Sequence, residues 1–586
     1  SMPLVNFGNI STYGNKTTLS GMSSGLNTNE IIEVSVKAKE IPINKLKDSI
    51  DLNNKKLGEF KKFRSLLSTF KTASEALRKS NSWDVSGSGA FKARTATLTS
   101  NTSVAANNYI SVNTTGETTV TNYSISDVVL AAAKSQSCTG FATNNTSVTT
   151  LVDTPGSFKA GTFQINGEDI TIASGATLLD IQAAINAASE KTLVEASIIQ
   201  ISSSNYQIVF QSKETGIAGA YSINDPSGVL SNLTFTHKAA SDASCKLDNT
   251  TITRSSNNIS DVIPNLTINL LQNSPSGTNL TVGIKPDIEA VKKSISAFIG
   301  SYNDLMTYVA QQNQRDEATQ SYTEDSILGG DTSVSSIMFS MAEELRKVVP
   351  GISSGYTMLP EIGVSFTNFP GDSNLPRIAN ILELDSSTLE VALNTNFDQV
   401  RKVFDVDFVC TSTKFALDDR TNALAINEMT VDVNIGRAEG DQVRVTYADP
   451  ATGGSKTINA KYTSYGTSGG LIEGISGTVI EGLNIMYAGN GVDSATVHIS
   501  QGIADRIFNL VESVLADSGA LKMAEDAITS ANTDKQDQIA RLKAQVETYR
   551  ESLLRQYAEV ENAVQKINSI LQMLDAQEAA RRSASQ

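Results

Sequence analysis

Apolar residues recur at helical spacing at both ends of this chain and at strand spacing through much of its middle. Near the start, Thr28 is placed to cap a short helix through Ile31, Ile32, Val34 and Ala38 that ends before Pro42. From Ile43 to about Ser80, Leu46, Ile50, Leu57, Phe60, Leu67, Phe70, Ala73 and Leu77 lie on one helical face, with Lys and Glu filling much of the rest. The other end is more regular. Ile539, Leu542, Val546, Tyr549, Leu553, Tyr557, Val560, Val564, Ile567, Leu571 and Leu574 step by 3, 4, 3, 4, 4, 3, 4, 3, 4, 3. That is a heptad seam with one phase slip at Leu553–Tyr557, where the supercoil should locally relax. At 1.5 Å per residue the segment spans about 55–65 Å. A helix with so narrow an apolar stripe needs a partner, and the N-terminal helix supplies one, pairing chain start with chain end.

Between these ends the period changes. Residues 96–136 alternate as half-buried strands do, as in Tyr109-Ile110-Ser111-Val112 and Tyr123-Ser124-Ile125-Ser126. Residues 161–211 read as hairpin, short helix over Leu178–Ala188, then hairpin, which is a small α+β unit. Helical spacing returns with Ile288, Val291, Ile295, Phe298, Tyr302, Leu305 and Val309, again with Val334, Met338, Met341, Leu345 and Val348, and from Ile507 to about Ile528. Residues 406–500 revert to strands and Gly-rich turns. The fold class is therefore α+β multidomain, a helical coiled-coil leg formed by both termini with mainly-β heads inserted between. The expected division is a flexible segment 1–42, a leg helix 43–95, and a β head in two segments, 96–139 and 238–285. It continues with an inserted α+β head 140–237, a helical leg domain 286–405 and 501–530, a further β insertion 406–500, and a coiled coil 531–586.

Composition narrows the chemistry. A chain of 586 residues, 40% hydrophobic, builds several cores rather than one. Its net charge of −15 argues against nucleic acid or an anionic membrane as partner. The start, Ser1-Met2-Pro3, reads as a tag scar before a native Met, and no basic-then-apolar secretory signal follows. No run of about 18 apolar residues suggests a membrane helix. With only His237 and His498, both isolated, the usual general bases are nearly missing, and neither is a catalytic candidate. No Cys-x-x-Cys or Cys/His cluster offers a metal site, so neither metal nor other cofactor is expected.

The remaining motifs have plain structural readings. Gly87-Ser88-Gly89 and Gly329-Gly330-Asp331 lack the Lys of a phosphate loop and read as turns. Asp385, near Glu383 and Glu390, precedes a helical run and reads as an N-cap rather than half of a carboxylate pair. Cys138 and Cys245 flank the 140–240 unit, and a disulfide between them would clamp its base if their Cα atoms lay within about 7 Å. Cys410 has no candidate partner.

Several segments, in order, resemble one family, the flagellar filament caps or FliD-type hook-associated proteins. They are Ser24-Gly25-Leu26-Asn27-Thr28 with Ile31-Ile32, the stretch from Ser241 through Arg254-Ser255-Ser256-Asn257 to Leu266, and Phe298 with Ser301-Tyr302-Asn303-Asp304-Leu305. Residues 161–223 resemble a repeat shared with flagellins. Pro264 stands where the family usually has Gly, which should alter one turn. The resemblance implies a structural, non-enzymatic cap at the distal tip of the bacterial flagellum, extracellular and exported through the type III channel. It implies a homo-oligomer, a pentamer on the filament, that retains exported flagellin and promotes its folding and insertion. It also implies an export chaperone that shields the C-terminal helix. Under this reading the seam of Leu542, Val546, Tyr549, Leu553, Tyr557, Val560, Val564, Ile567 and Leu571 meets flagellin and chaperone. Leu46, Ile50, Leu57, Phe60, Leu67 and Phe70 form the N-terminal leg seam. Host-surface binding by the heads is an added candidate role. The alternatives are another axial flagellar protein, of flagellin or junction type, and an adhesin or phage fibre with coiled-coil stalk and β heads.

Overall fold

The computed structural model describes residues 9–13, 16–20, 24–78, 82 and 89–585, so Gly87 and Ser88 lie outside the described residues. The helices, in chain order, are α1 (Thr28–Glu75), α2 (Leu178–Ala187), α3 (Ser189–Thr192), α4 (Ile288–Gln312), α5 (Thr332–Arg346), α6 (Ser386–Thr395), α7 (Phe397–Phe404), α8 (Ile503–Leu515) and α9 (Ala520–Ala584). The chain divides into two compact units, one of Ser1–Glu75, Ile295–Phe415 and Asp419–Gln586, the other of Ala76–Ser294 with Ala416–Asp418.

In the first unit the N-terminal segment departs from expectation in two ways. Asn9–Tyr13 and Lys16–Ser20 pair as antiparallel strands within the segment expected to be flexible. The helix expected to end before Pro42 instead runs unbroken through it, from Thr28 to Glu75. Proline removes one backbone donor and clashes with the preceding turn, a cost of about 3 kcal/mol in a helix interior. Ile32 and Val36 before it and Ile43 after it are all buried, and this burial on both sides holds the helix in line. Thr28 is not the cap. Asn27 Oδ1 accepts from the Glu30 N–H at 3.4 Å while its Nδ2 donates to Glu30 Oε2 at 2.8 Å, a reciprocal cap one residue earlier.

The later helices obey local rules more closely. Asp331 caps α5 by accepting from the Val334 N–H at 3.0 Å, after a turn in which Gly330 has φ +71°. Asp385 caps α6 by accepting from Ser387 and Thr388, and the Thr388 hydroxyl and backbone hold its carboxyl below the ordinary range. The single helical stretch expected over 507–528 is broken into α8 and α9 by the turn at Gly519. A Cβ there would sit 2.3 Å from the Ser513 carbonyl, which leaves glycine alone able to make it. The 406–500 segment forms most of an eight-stranded sheet. Its order is Val406–Cys410, Val492–Gln501, Glu428–Asn434, Val443–Ala448, Ser455–Ser464, Gly470–Glu473, Leu483–Tyr487 and Phe415–Arg420.

The second unit holds two separate cores. One packs the sheet formed by Val194–Ser202, Asn205–Thr215, Ala133–Phe141 and Thr236–Lys238 against α2, whose capping box joins Thr177 and Asp180. The other lies among a five-stranded sheet and the three-stranded sheet of Asn258–Ile263, Leu266–Leu270 and Ile110–Thr114. An isolated bridge pairs Ala132 with Ser241 where the chain passes from one core to the other. The proposed Cys138–Cys245 clamp is absent. Both cysteines are free and buried, Cys138 in the first core and Cys245 in the second, and burial raises both thiols. Each points into its own apolar cluster instead of across the neck. The turn holding Pro264 is a two-residue connection with φ +61° at Asn265, the type II pattern that accepts proline at its first central position.

Candidate functional site

α1 and α9 pack side by side and antiparallel in the first unit. Their polar contacts fix the direction: Arg64 meets Glu525, Asn53 meets Asn532, Lys39 lies over Tyr549, and Glu33 meets Arg550, one number falling as the other rises. Beyond these, Ser24 donates to Glu561 from just before the first turn of α1.

The wide end of this seam is a true core. Phe60, Phe63, Leu67 and Phe70 on α1 have no exposed surface. The Phe70 ring lies 5.0 Å from that of Phe298 and 5.8 Å from that of Tyr302, and Phe63 stacks on Tyr308 at 6.1 Å. Tyr308 donates to Glu59 Oε2 at 2.8 Å, and burial together with that carboxylate pushes its hydroxyl well above the ordinary tyrosine range. Burial pushes Tyr302 up to about 12. Arg64 also donates to the Leu515 carbonyl at 3.1 Å, and Lys71 meets Glu512 at 2.7 Å, so α8 joins the pair here.

Away from that core the seam is made mainly by α1 and α9. Leu46, Ile50 and Leu57 on α1 are half-buried, as are Leu542, Val546, Tyr549, Leu553, Tyr557 and Val564 on α9. The rest of the predicted seam is bare: Val560 is 43% exposed, Ile567 55% and Leu571 51%. Ile570, Met573 and Leu574 extend this apolar surface, each more than half exposed.

Reading apolar positions alone missed part of the seam. Ile32, Val36, Ile43 and Phe63 are buried on α1. On α9 the same face continues upstream through Leu521, Glu525, Ile528, Asn532 and Lys535, all buried or half-buried. Their 4, 3, 4, 3 spacing joins the Ile539 heptads without a break, and that spacing, freed of its apolar requirement, was the signal that could have found them.

His237 is exposed on a strand of the second unit and His498 half-buried on a strand of the first. Among the described residues no group of three or more His, Cys, Asp or Glu could hold a metal ion, and no helix is long and apolar enough to cross a membrane. Past the packed part of the leg, α9 presents an exposed apolar surface.

Family models agree in order along the chain. That for the flagellar hook-associated protein 2 N-terminus matches residues 24–136, that for the flagellar hook-associated protein 2 C-terminus matches 240–569, and that for the flagellin hook IN motif matches 162–214. The A-type flagellar hook-associated protein 2 of Pseudomonas aeruginosa is 23% identical over 436 residues, 69% of this chain and 83% of its own. The flagellar hook-associated protein 2 of Escherichia coli K12 is 28% identical over 395 residues, 64% of this chain and 77% of its own. With that of Treponema maltophilum the match is 30% over 188 residues and spans only 28% of the relative's length. A crystal structure of the D1-D2-D3 domains of the flagellar cap protein FliD from Escherichia coli aligns with 80% of this chain and 99% of its own, at TM-score 0.44 and 22% identity.

Proposed function

The chain belongs to the flagellar hook-associated protein 2 family, and we propose that it works as an oligomeric cap that keeps exported flagellin at the growing tip and helps it fold into place. It is a structural flagellar filament cap, exported and extracellular at the filament tip. The oligomer on the filament is a pentamer. Its β-rich domains form the covering plate, and the α1–α9 leg reaches the terminal flagellin subunits.

One observation carries the reading. Both ends of the chain meet in a single antiparallel seam, and beyond the reach of α1 the apolar stripe of α9 stays open, with Ile567, Ile570 and Leu571 all more than half exposed. Exposed apolar surface of this continuity is a mark of a binding face. Terminal flagellin covers it in the assembled filament, and an export chaperone covers it before secretion. Both occupants would bury the same side chains, so they exclude one another.

The test is a strain lacking the chain. It should secrete flagellin as monomer into the medium and build no filaments, with both defects reversed by the restored gene. Normal filaments in that strain would refute the assignment.

A further inference from the structure

Asn532 is buried, 8% exposed, in the middle of a mainly apolar seam. Its Oδ1 accepts from Asn53 Nδ2 at 2.8 Å, and its own Nδ2 donates to Asn54 Oδ1 at 3.1 Å. A three-asparagine layer therefore spans the two helices. On one side of it Arg64 Nη2 and Glu525 Oε2 pair at 3.1 Å, and on the other Glu33 pairs with Arg550. None of these polar groups adds to the apolar area of the seam, and each has a partner on α1 at one relative position only.

A second copy of α9 would satisfy the apolar heptads equally well but not the charged seam positions. In a parallel, in-register pair of α9 helices Asn532 would meet Asn532, but at neighbouring seam positions Glu525 would face Glu525 and Lys535 would face Lys535, like charges on either side of it. In an antiparallel pair centred on Asn532, Glu525 would fall opposite Ile539, and any other centre would set Asn532 against an apolar or charged position. Buried asparagines and flanking charges are the devices by which coiled coils select register and partner at some cost in stability. We propose that the Asn53–Asn54–Asn532 layer, with its flanking ion pairs, commits α9 to antiparallel pairing with α1 and disfavours its pairing with α9 of a second copy. This inference concerns partner choice and holds independently of what the cap binds. Its consequence is that subunits associate without pairing their C-terminal helices with one another.

The test uses the full chain with Leu46→Cys and Ile539→Cys, two seam positions brought together by the antiparallel register, in a Cys410→Ser background. Mild oxidation should give mainly intrachain cross-links, read on non-reducing gels. Adding Asn532→Leu, which strengthens the seam and so preserves helix content, should lower the intrachain product several-fold and raise interchain dimers. Adding Asn53→Leu as well places an apolar side chain opposite the introduced leucine and should recover part of the intrachain product, which general damage to the fold would not do. An unchanged ratio of the two products on Asn532→Leu would overturn the proposal, as would a double variant no better than the single one.

Discussion

Arg420 and Asp505 form an ion pair in which neither side chain has any exposed surface. Arg420 Nε donates to Asp505 Oδ1 at 2.9 Å, and Gln501 Nε2 donates to Asp505 Oδ2 at 3.2 Å. The pair joins the end of the Phe415–Arg420 strand to the first turn of α8, so the β insertion is fastened to the leg by a desolvated contact. Removing one partner strands the other charge in the interior. Asp505→Ala should therefore lower the stability of this unit by about 3–5 kcal/mol, whereas the paired replacement Arg420→Met with Asp505→Leu should be near neutral. Urea unfolding followed by circular dichroism separates the two outcomes.

Acid should loosen the same unit. Burial raises the Glu344 carboxyl, but hydrogen bonds from Lys347 and Arg506 outweigh it and hold it below its ordinary value of 4.5. Asp398 behaves alike, burial opposed by Arg401, and ends below 3.8. A carboxyl depressed on folding stabilises the fold above its unfolded value and loses that contribution as pH falls through the folded one. The thermal midpoint should hold steady down to the ordinary carboxylate range and then fall, and Glu344→Gln should shallow the fall. A midpoint insensitive to acid would contradict this.

The two halves of the seam should separate stability from function. Phe60→Ala removes a fully buried ring and should cost about 3–5 kcal/mol. Ile567→Ser with Leu571→Ser alters side chains already half exposed and should leave the thermal midpoint unchanged while abolishing filament growth. Complementation of the deletion strain, scored by motility, reads the second effect.

Thiol chemistry checks the separate cores. Denatured protein should titrate three free thiols whether or not reductant was added first. In the native protein Cys410 should react faster than Cys138 and Cys245, whose burial raises their thiols. A reductant-dependent increase would restore the disulfide.

Where one physical signal dominates, the sequence announces the structure. The heptads from Ile539 specify a long helix, and Asp331 and Asp385 specify helix starts, because spacing and capping are local. Pro42 misled because packing on both sides of it outweighs a local penalty. Asn532 and Glu525 went unread for a related reason: a polar residue in a seam has meaning only once its partner on α1 is known. Cys138 and Cys245 lie at similar distances from the neck in sequence, yet sequence cannot say that their side chains enter different cores. The stripe from Val560 to Leu574 was legible as apolar, but its exposure was not.

The central claim is that this chain sits at the end of the filament. Electron microscopy of filaments from a strain carrying an epitope-tagged chain, with gold-labelled antibody, tests it directly. The account predicts label at the distal tip of each filament and nowhere along its length. Label distributed along the filament, or confined to the junction with the hook, would contradict it.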